Sequence, residues 1–113
     1  MKNKIVLVTF PFDDLSGSKV RPALCLTDSI GVYNHVVVAF ISSQISKASE
    51  KSDLEILTTN TYFNKTGLKV DSVIRLHRVV TIPSYLIKRQ LGILPLSLGI
   101  QIKQKLQDLF QLY

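Results

Sequence analysis

Arg21 sits inside the segment IVLVTFPFDDLSGSKVRPALCLTD, residues 5–28, where a polar loop gives way to an apolar strand. Its guanidinium is planar, permanently charged and forked, so it matches a phosphate or a carboxylate at two points. An anion is the first partner this chemistry suggests. A structural ion pair with Asp13, Asp14 or Asp28 is the alternative that spacing leaves open. Other donors recur further along. Ser42 and Ser43 close the run VVVAFI and precede Gln44, while Arg75, His77 and Arg78 surround the end of the run Ser72–Leu76. Gathered at one barrel mouth, guanidinium and hydroxyl donors suit a phosphodiester, whose negative charge grows in the transition state. Each also has a structural reading: serines at a strand end satisfy turn backbone, and a strand-borne imidazole can simply line a barrel face.

Several chemistries find little support. The two histidines, His35 and His77, lack the spacing of a zinc pattern, so no metal site is expected. Ser16-Gly17-Ser18-Lys19 lacks the earlier glycine of a phosphate-binding loop and follows no parallel-sheet pattern. The single cysteine, Cys25, lies in the apolar run Ala23–Leu26 and reads as a buried small hydrophobe, with no internal disulfide available to it. No apolar run approaches the ~20 residues of a membrane span, and the first run is broken by Thr9 and Pro11, so cytoplasmic residence is the expectation.

Fourteen Lys and Arg against eight Asp and Glu leave a formal charge of +6. The balance favours encounter with a polyanion, but the basic residues are too scattered to locate it. A solvated basic face is the competing explanation.

These residues must be held by a small fold. At 113 residues, 46% of them hydrophobic, the chain fits one globular domain spanning 1–113. Strand patterns cover Ile5–Phe10, Pro22–Thr27, Val36–Ile41, Leu54–Thr58, Ser72–Leu76 and Lys88–Ile93. VVVAF is apolar on successive residues, so both of its faces need cover, as in a small closed barrel or at a dimer interface. Asp13–Val20 reads as a flap before Arg21, and Gly31 and Asn34 turn the chain between two strands. Ser43–Asp53 is a polar connection. Ser84 is placed to cap a short turn, Tyr85–Ile87. Ile102, Leu106, Leu109, Phe110 and Tyr113 recur at helical spacing, with Pro95 suited to the start, so a C-terminal helix closes the barrel.

The runs VTFPFDDLSGSKVRPALCLTD, VVVAFISSQISKASEKSDLEI and DSVIRLHRVVTI, followed by an amphipathic helix, resemble the MazF/PemK/Kid toxins of bacterial type II toxin–antitoxin modules. The likeness spans about Lys4 to Leu112, and its most specific part is FPF, the SGS loop and RPAL in that order. The resemblance implies a mainly β fold, a small SH3-like barrel of the CcdB/MazF type with a C-terminal helix. It also implies a homodimer, a cognate antitoxin, and a metal-independent endoribonuclease that needs no cofactor and cuts single-stranded messenger RNA.

The family's catalytic arginine, in its RP motif, corresponds to Arg21, and the hydroxyl residue ending its third strand, commonly threonine, corresponds to Ser42. Serine keeps the hydroxyl and loses the methyl that restricts its rotamer. Gln44 matches a glutamine that often follows, and Ser18 and Lys19 fall in the loop that covers substrate. That loop is shorter than in several relatives. RNA contacts are expected at Ser18, Lys19, Ser43, Gln44, Arg75, His77 and Arg78, with His77 a candidate proton shuttle. The rival reading is a binding protein, either a gyrase poison of the same barrel acting through its terminal helix or a degenerate relative that only binds RNA or antitoxin.

Overall fold

The fold is a computed structural model, described for residues 1–10, 19–45 and 50–113. Six strands, β1 (Lys4–Phe10), β2 (Lys19–Cys25), β3 (His35–Ser42), β4 (Asp53–Ile56), β5 (Ser72–Pro83) and β6 (Ile87–Ile93), precede one helix, α1 (Leu96–Phe110). They form an antiparallel sheet in the order β4-β5-β3-β2-β1-β6. The chain is thus mainly β with a C-terminal helix, as the sequence predicts.

The central strands are apolar on successive residues because each face of the sheet meets its own cluster. Ile5, Leu24, Ala39, Ile41 and Ile74 point to one side, where Leu54, Ile56, Phe63, Leu98 and Ile102 cover them. Val6, Val8, Ala23, Cys25, Val36, Val38 and Ile82 point to the other. Two-residue alternation divides neighbouring side chains between the clusters along β1, β2 and β3, while Ile74 and Ile82 of β5 fall in opposite clusters because the ladder shifts register between them. Cys25 is fully buried, and desolvation raises its thiol pKa, so the residue acts as a small hydrophobe.

The chain between β2 and β3 turns where Gly31 and Asn34 adopt φ of +73° and +53°. Paired backbone bonds between Ile30 and His35, 2.8 and 3.0 Å, close that hairpin. At the other edge Gly67 and Gly92 let the 3₁₀ turn Phe63–Thr66 lie directly on β6. A Cβ on Gly92 would meet the Lys65 carbonyl oxygen at 2.2 Å, and one on Gly67 would meet that of Leu91 at 2.0 Å.

Several boundaries differ from the sequence reading. β5 continues past Leu76 to Pro83, because Val79–Ile82 pair with Val36–Ala39. β2 begins at Lys19 and ends at Cys25, so Lys19 and Val20 belong to a strand, while Asp13–Ser18 of the expected flap lie outside the described residues. The short turn is Ser84–Leu86, preceded by Pro83, and Ser84 makes no side-chain cap.

The helix packs only the first part of the stripe its spacing suggests, Ile102 and Leu106, against the core and extends it back to Leu98. Leu98 and Ile102 are buried and Leu106 packs against them, whereas Leu109 and Phe110 are exposed and Tyr113 lies beyond the last turn. Each buried leucine or isoleucine stabilises by about 1.5–3 kcal/mol. Helical spacing identified the helix, but only packing shows that its C-terminal half runs off the core. Pro95 stands just before the helix, its carbonyl accepting the Leu98 and Gly99 N–H groups at 3.0 Å each.

Candidate active site

In the β2–β3 ladder Ala23 lies opposite Phe40 and Leu24 opposite Ala39. Two residues before Ala23, Arg21 shares its face; two residues after Phe40, so does Ser42. β3 then pairs Ser42 with Val73 of β5, and Arg75 follows Val73 on that same face. Register alone therefore aligns Arg21, Phe40, Ser42 and Arg75 on one side of the sheet.

Arg78 reaches this group by an irregularity. Ala39 pairs with Val79, but Ile41 pairs with Ile74, so Phe40 stands opposite the whole segment Arg75–Arg78. Such a bulge bends the strand and re-aims its side chains. Strict alternation would separate Arg75 from Arg78. Here both line a cleft of about 460 Å³ together with Arg21, Phe40, Ile41, Ser42 and Gln44.

Arg21 is exposed at the point where β2 passes from solvent to core. Of the carboxylates considered as its ion-pair partners, Asp28 lies beyond the opposite end of β2. There it accepts the Met1 ammonium at 2.7 Å and the Lys2 N–H at 2.9 Å. Asp13 and Asp14 are outside the described residues. Ser42 accepts the Gln44 N–H at 3.0 Å, the turn-satisfying bond expected of a serine at a strand end. That bond fixes the oxygen and leaves the hydroxyl proton to donate.

Arg75 is held from behind. Its Nε donates to Asp53 Oδ1 at 2.7 Å, with side-chain exposures of 17% for the arginine and 3% for the aspartate. Asp53 Oδ2 accepts the Glu50 N–H at 3.1 Å, and the ammonium of Lys105 on α1 reaches the Lys51 carbonyl at 2.9 Å. His77 sits against the same carboxylate, its Nδ1 3.8 Å from Asp53 Oδ1 and 3.4 Å from Ser52 Oγ.

Of the residues named from sequence, Arg21, Ser42, Gln44, Arg75 and Arg78 line the cleft. Lys19 and Ser43 are exposed beside it without lining it, His77 turns toward Ser52 and Asp53, and Ser18 is outside the described residues. Two participants escaped the sequence reading. Phe40, half-buried on the second cluster, places its ring centroid 5.9 Å from the Arg78 guanidinium carbon. An aromatic bearing a guanidinium is a surface on which a nucleobase can stack. An aromatic near the end of VVVAF was the available signal. Asp53 had none, since its partner Arg75 is distant in sequence. Among the described residues no group of three His, Cys, Asp or Glu side chains converges as a metal site.

The architecture is a mainly β, barrel-like sheet carrying a C-terminal helix, with a cleft lined by arginine and hydroxyl donors whose chemistry suits an anion. The chain matches the model of the PemK-like, MazF-like toxin of type II toxin–antitoxin system over residues 2–110, and it belongs to that family. Its fold is similar to that of the Mycobacterium tuberculosis toxin MazF-mt6, with a TM-score of 0.72 and 22% identity over 96% of each chain. No curated protein matches the sequence. Toxins of this family are generally endoribonucleases, and membership implies a cognate antitoxin as partner.

Proposed function

We propose that the protein is a metal-independent endoribonuclease toxin that cuts single-stranded RNA, chiefly messenger RNA, in the cytoplasm, and acts as a homodimer. The observation that carries this reading is the convergence of Arg21, Arg75 and Arg78 with Ser42 and Gln44 around one cleft, beside the aromatic Phe40. Three guanidinium groups suit a phosphate backbone, and the ring suits an unstacked base.

The nucleophile is the RNA's own 2′-hydroxyl. Its oxygen gives up its proton to solvent and forms a bond to phosphorus as the bond to the 5′-oxygen breaks, and the leaving oxygen takes a proton from solvent, so one proton is lost and one gained. The products are a 2′,3′-cyclic phosphate and a 5′-hydroxyl. Arg21 and Ser42 are the catalytic pair: the guanidinium neutralises the phosphorane-like state, and the hydroxyl donates to a non-bridging oxygen. Gln44, Arg75 and Arg78 hold the flanking phosphates and sugars, with Ser18, Lys19 and Ser43 extending the RNA track. His77 turns toward Ser52 and Asp53 and does not line the cleft, so this geometry gives no support to the proton-shuttle role expected for it.

Purified protein incubated with mixed-sequence RNA in EDTA tests the reading. Fragments carrying cyclic phosphate are expected, and a single 2′-deoxynucleotide at the cut site abolishes cleavage there. RNA that stays intact overturns the nuclease; cutting that survives the deoxy substitution overturns the 2′-hydroxyl route.

A further inference from the structure

We propose that Asp53 is a positioning residue for RNA cleavage, holding the Arg75 guanidinium in the orientation the cleft requires. This rests on the endoribonuclease reading above. The Nε–Oδ1 bond of 2.7 Å engages Nε and leaves the terminal nitrogens for the cleft that Arg75 lines. Arginine has four side-chain torsions, and anchoring Nε restricts them. The anchor is itself buried and bonded. Asp53 is register partner to Arg75 across β4–β5, its carboxylate is 3% exposed, and its second oxygen accepts the Glu50 N–H.

Electrostatics argues that this carboxylate serves geometry. A negative charge beside an anion site weakens attraction for a phosphate, and a buried ion pair gives little net stability against a well-packed apolar alternative. The arrangement makes sense where a misplaced donor costs more than reduced charge. A displacement of 1 Å at a reacting centre costs about 10²-fold in rate.

The test compares wild type with Asp53→Asn, Arg75→Ala and the double variant under single-turnover conditions with saturating protein. Asp53→Asn keeps the side chain's volume and removes the charge. Its cleavage rate at saturation is expected to fall about 10–10²-fold. Affinity for a non-cleavable 2′-deoxy analogue stays equal or tightens, because a negative charge has gone. In the Arg75→Ala background Asp53→Asn is expected to change the rate no further. A rate within twofold of wild type, or an equal loss in both backgrounds, overturns the inference.

A readout independent of cleavage is solvent exchange of the Arg75 Nε–H by NMR. Exchange is expected to be slow in wild type and fast in Asp53→Ala, which removes the acceptor; a wild-type proton exchanging as fast as that of the exposed Arg89 also overturns it. Wild-type protein that leaves RNA intact, with Arg75 Nε–H protected, overturns the endoribonuclease reading and with it any catalytic role for the anchor.

Discussion

Asp53 and Arg75 face each other across β4 and β5 and join their side chains through a 2.7 Å Nε–Oδ1 bond, although 22 positions separate them in the chain. The pair ties the strand that carries the cleft's arginine to an edge strand. His77 approaches the same carboxylate, and Ser52 in turn meets the His77 ring.

Truncating that carboxylate leaves a mostly buried guanidinium without its partner. Asp53→Ala is therefore expected to lower stability by about 3 kcal/mol, toward the lower end for a broken buried pair, because Arg75 keeps some contact with water. Equilibrium urea denaturation measures it, as a lower midpoint with an unchanged slope.

Arg21 touches solvent, so its loss should be felt in chemistry rather than in folding. Arg21→Ala is expected to slow RNA cleavage by about 10²–10³-fold while stability changes by no more than about 1 kcal/mol, the scale of an exposed pair. Replacing Gln111, Leu112 and Tyr113 together with alanine, all exposed beyond α1, leaves cleavage intact. The opposite pattern, with toxicity following the terminus, supports a toxin that acts by contact.

The Ser42 hydroxyl oxygen accepts the Gln44 N–H and keeps its own proton to donate. Ser42→Ala removes both the donor and the turn acceptor, and cleavage should fall by about 10²-fold. Ser42→Thr restores the oxygen with a stiffer χ1 and is expected to cleave at least as fast as wild type. Steady-state kinetics on one defined RNA distinguishes the two.

Arg78 supplies charge to the cleft and rests near the Phe40 ring. Arg78→Ala should weaken binding of a non-cleavable RNA across all sequences and reduce the slope of log affinity against log salt by roughly 0.7, the value for one single-strand phosphate contact. Fluorescence anisotropy at several salt concentrations reads both effects.

Gly92 packs against the backbone of the turn Phe63–Thr66, where an added Cβ would lie 2.4 Å from the Thr66 carbonyl carbon. No side-chain rotation relieves a clash with backbone, so Gly92→Ala is expected to cost roughly 1–3 kcal/mol. Gly99→Ala is the control. A Cβ there comes no closer than 3.9 Å to Leu94 Cδ2, and the helix gains about 1 kcal/mol of propensity. Thermal melts of the two should move in opposite directions.

The sequence by itself determined the class of fold, the strands, the helix and the turn at Gly31 and Asn34, because these follow from local patterns of two or 3.6 residues and from turn chemistry. It also singled out Arg21 and Ser42, through their place at strand ends and their likeness to a family motif. Tertiary structure decided what depends on two distant segments meeting. The bulge opposite Phe40 brings Arg75 and Arg78 to one cleft, which no alternation rule anticipates. Asp53 acquires its meaning from a cross-strand partner that spacing cannot reveal, and the helix buries Leu98 and Ile102 rather than its apolar C-terminus because the core ends there. Local periodicity is written in neighbouring residues; register shifts and long-range ion pairs are set by how whole strands bend and pack.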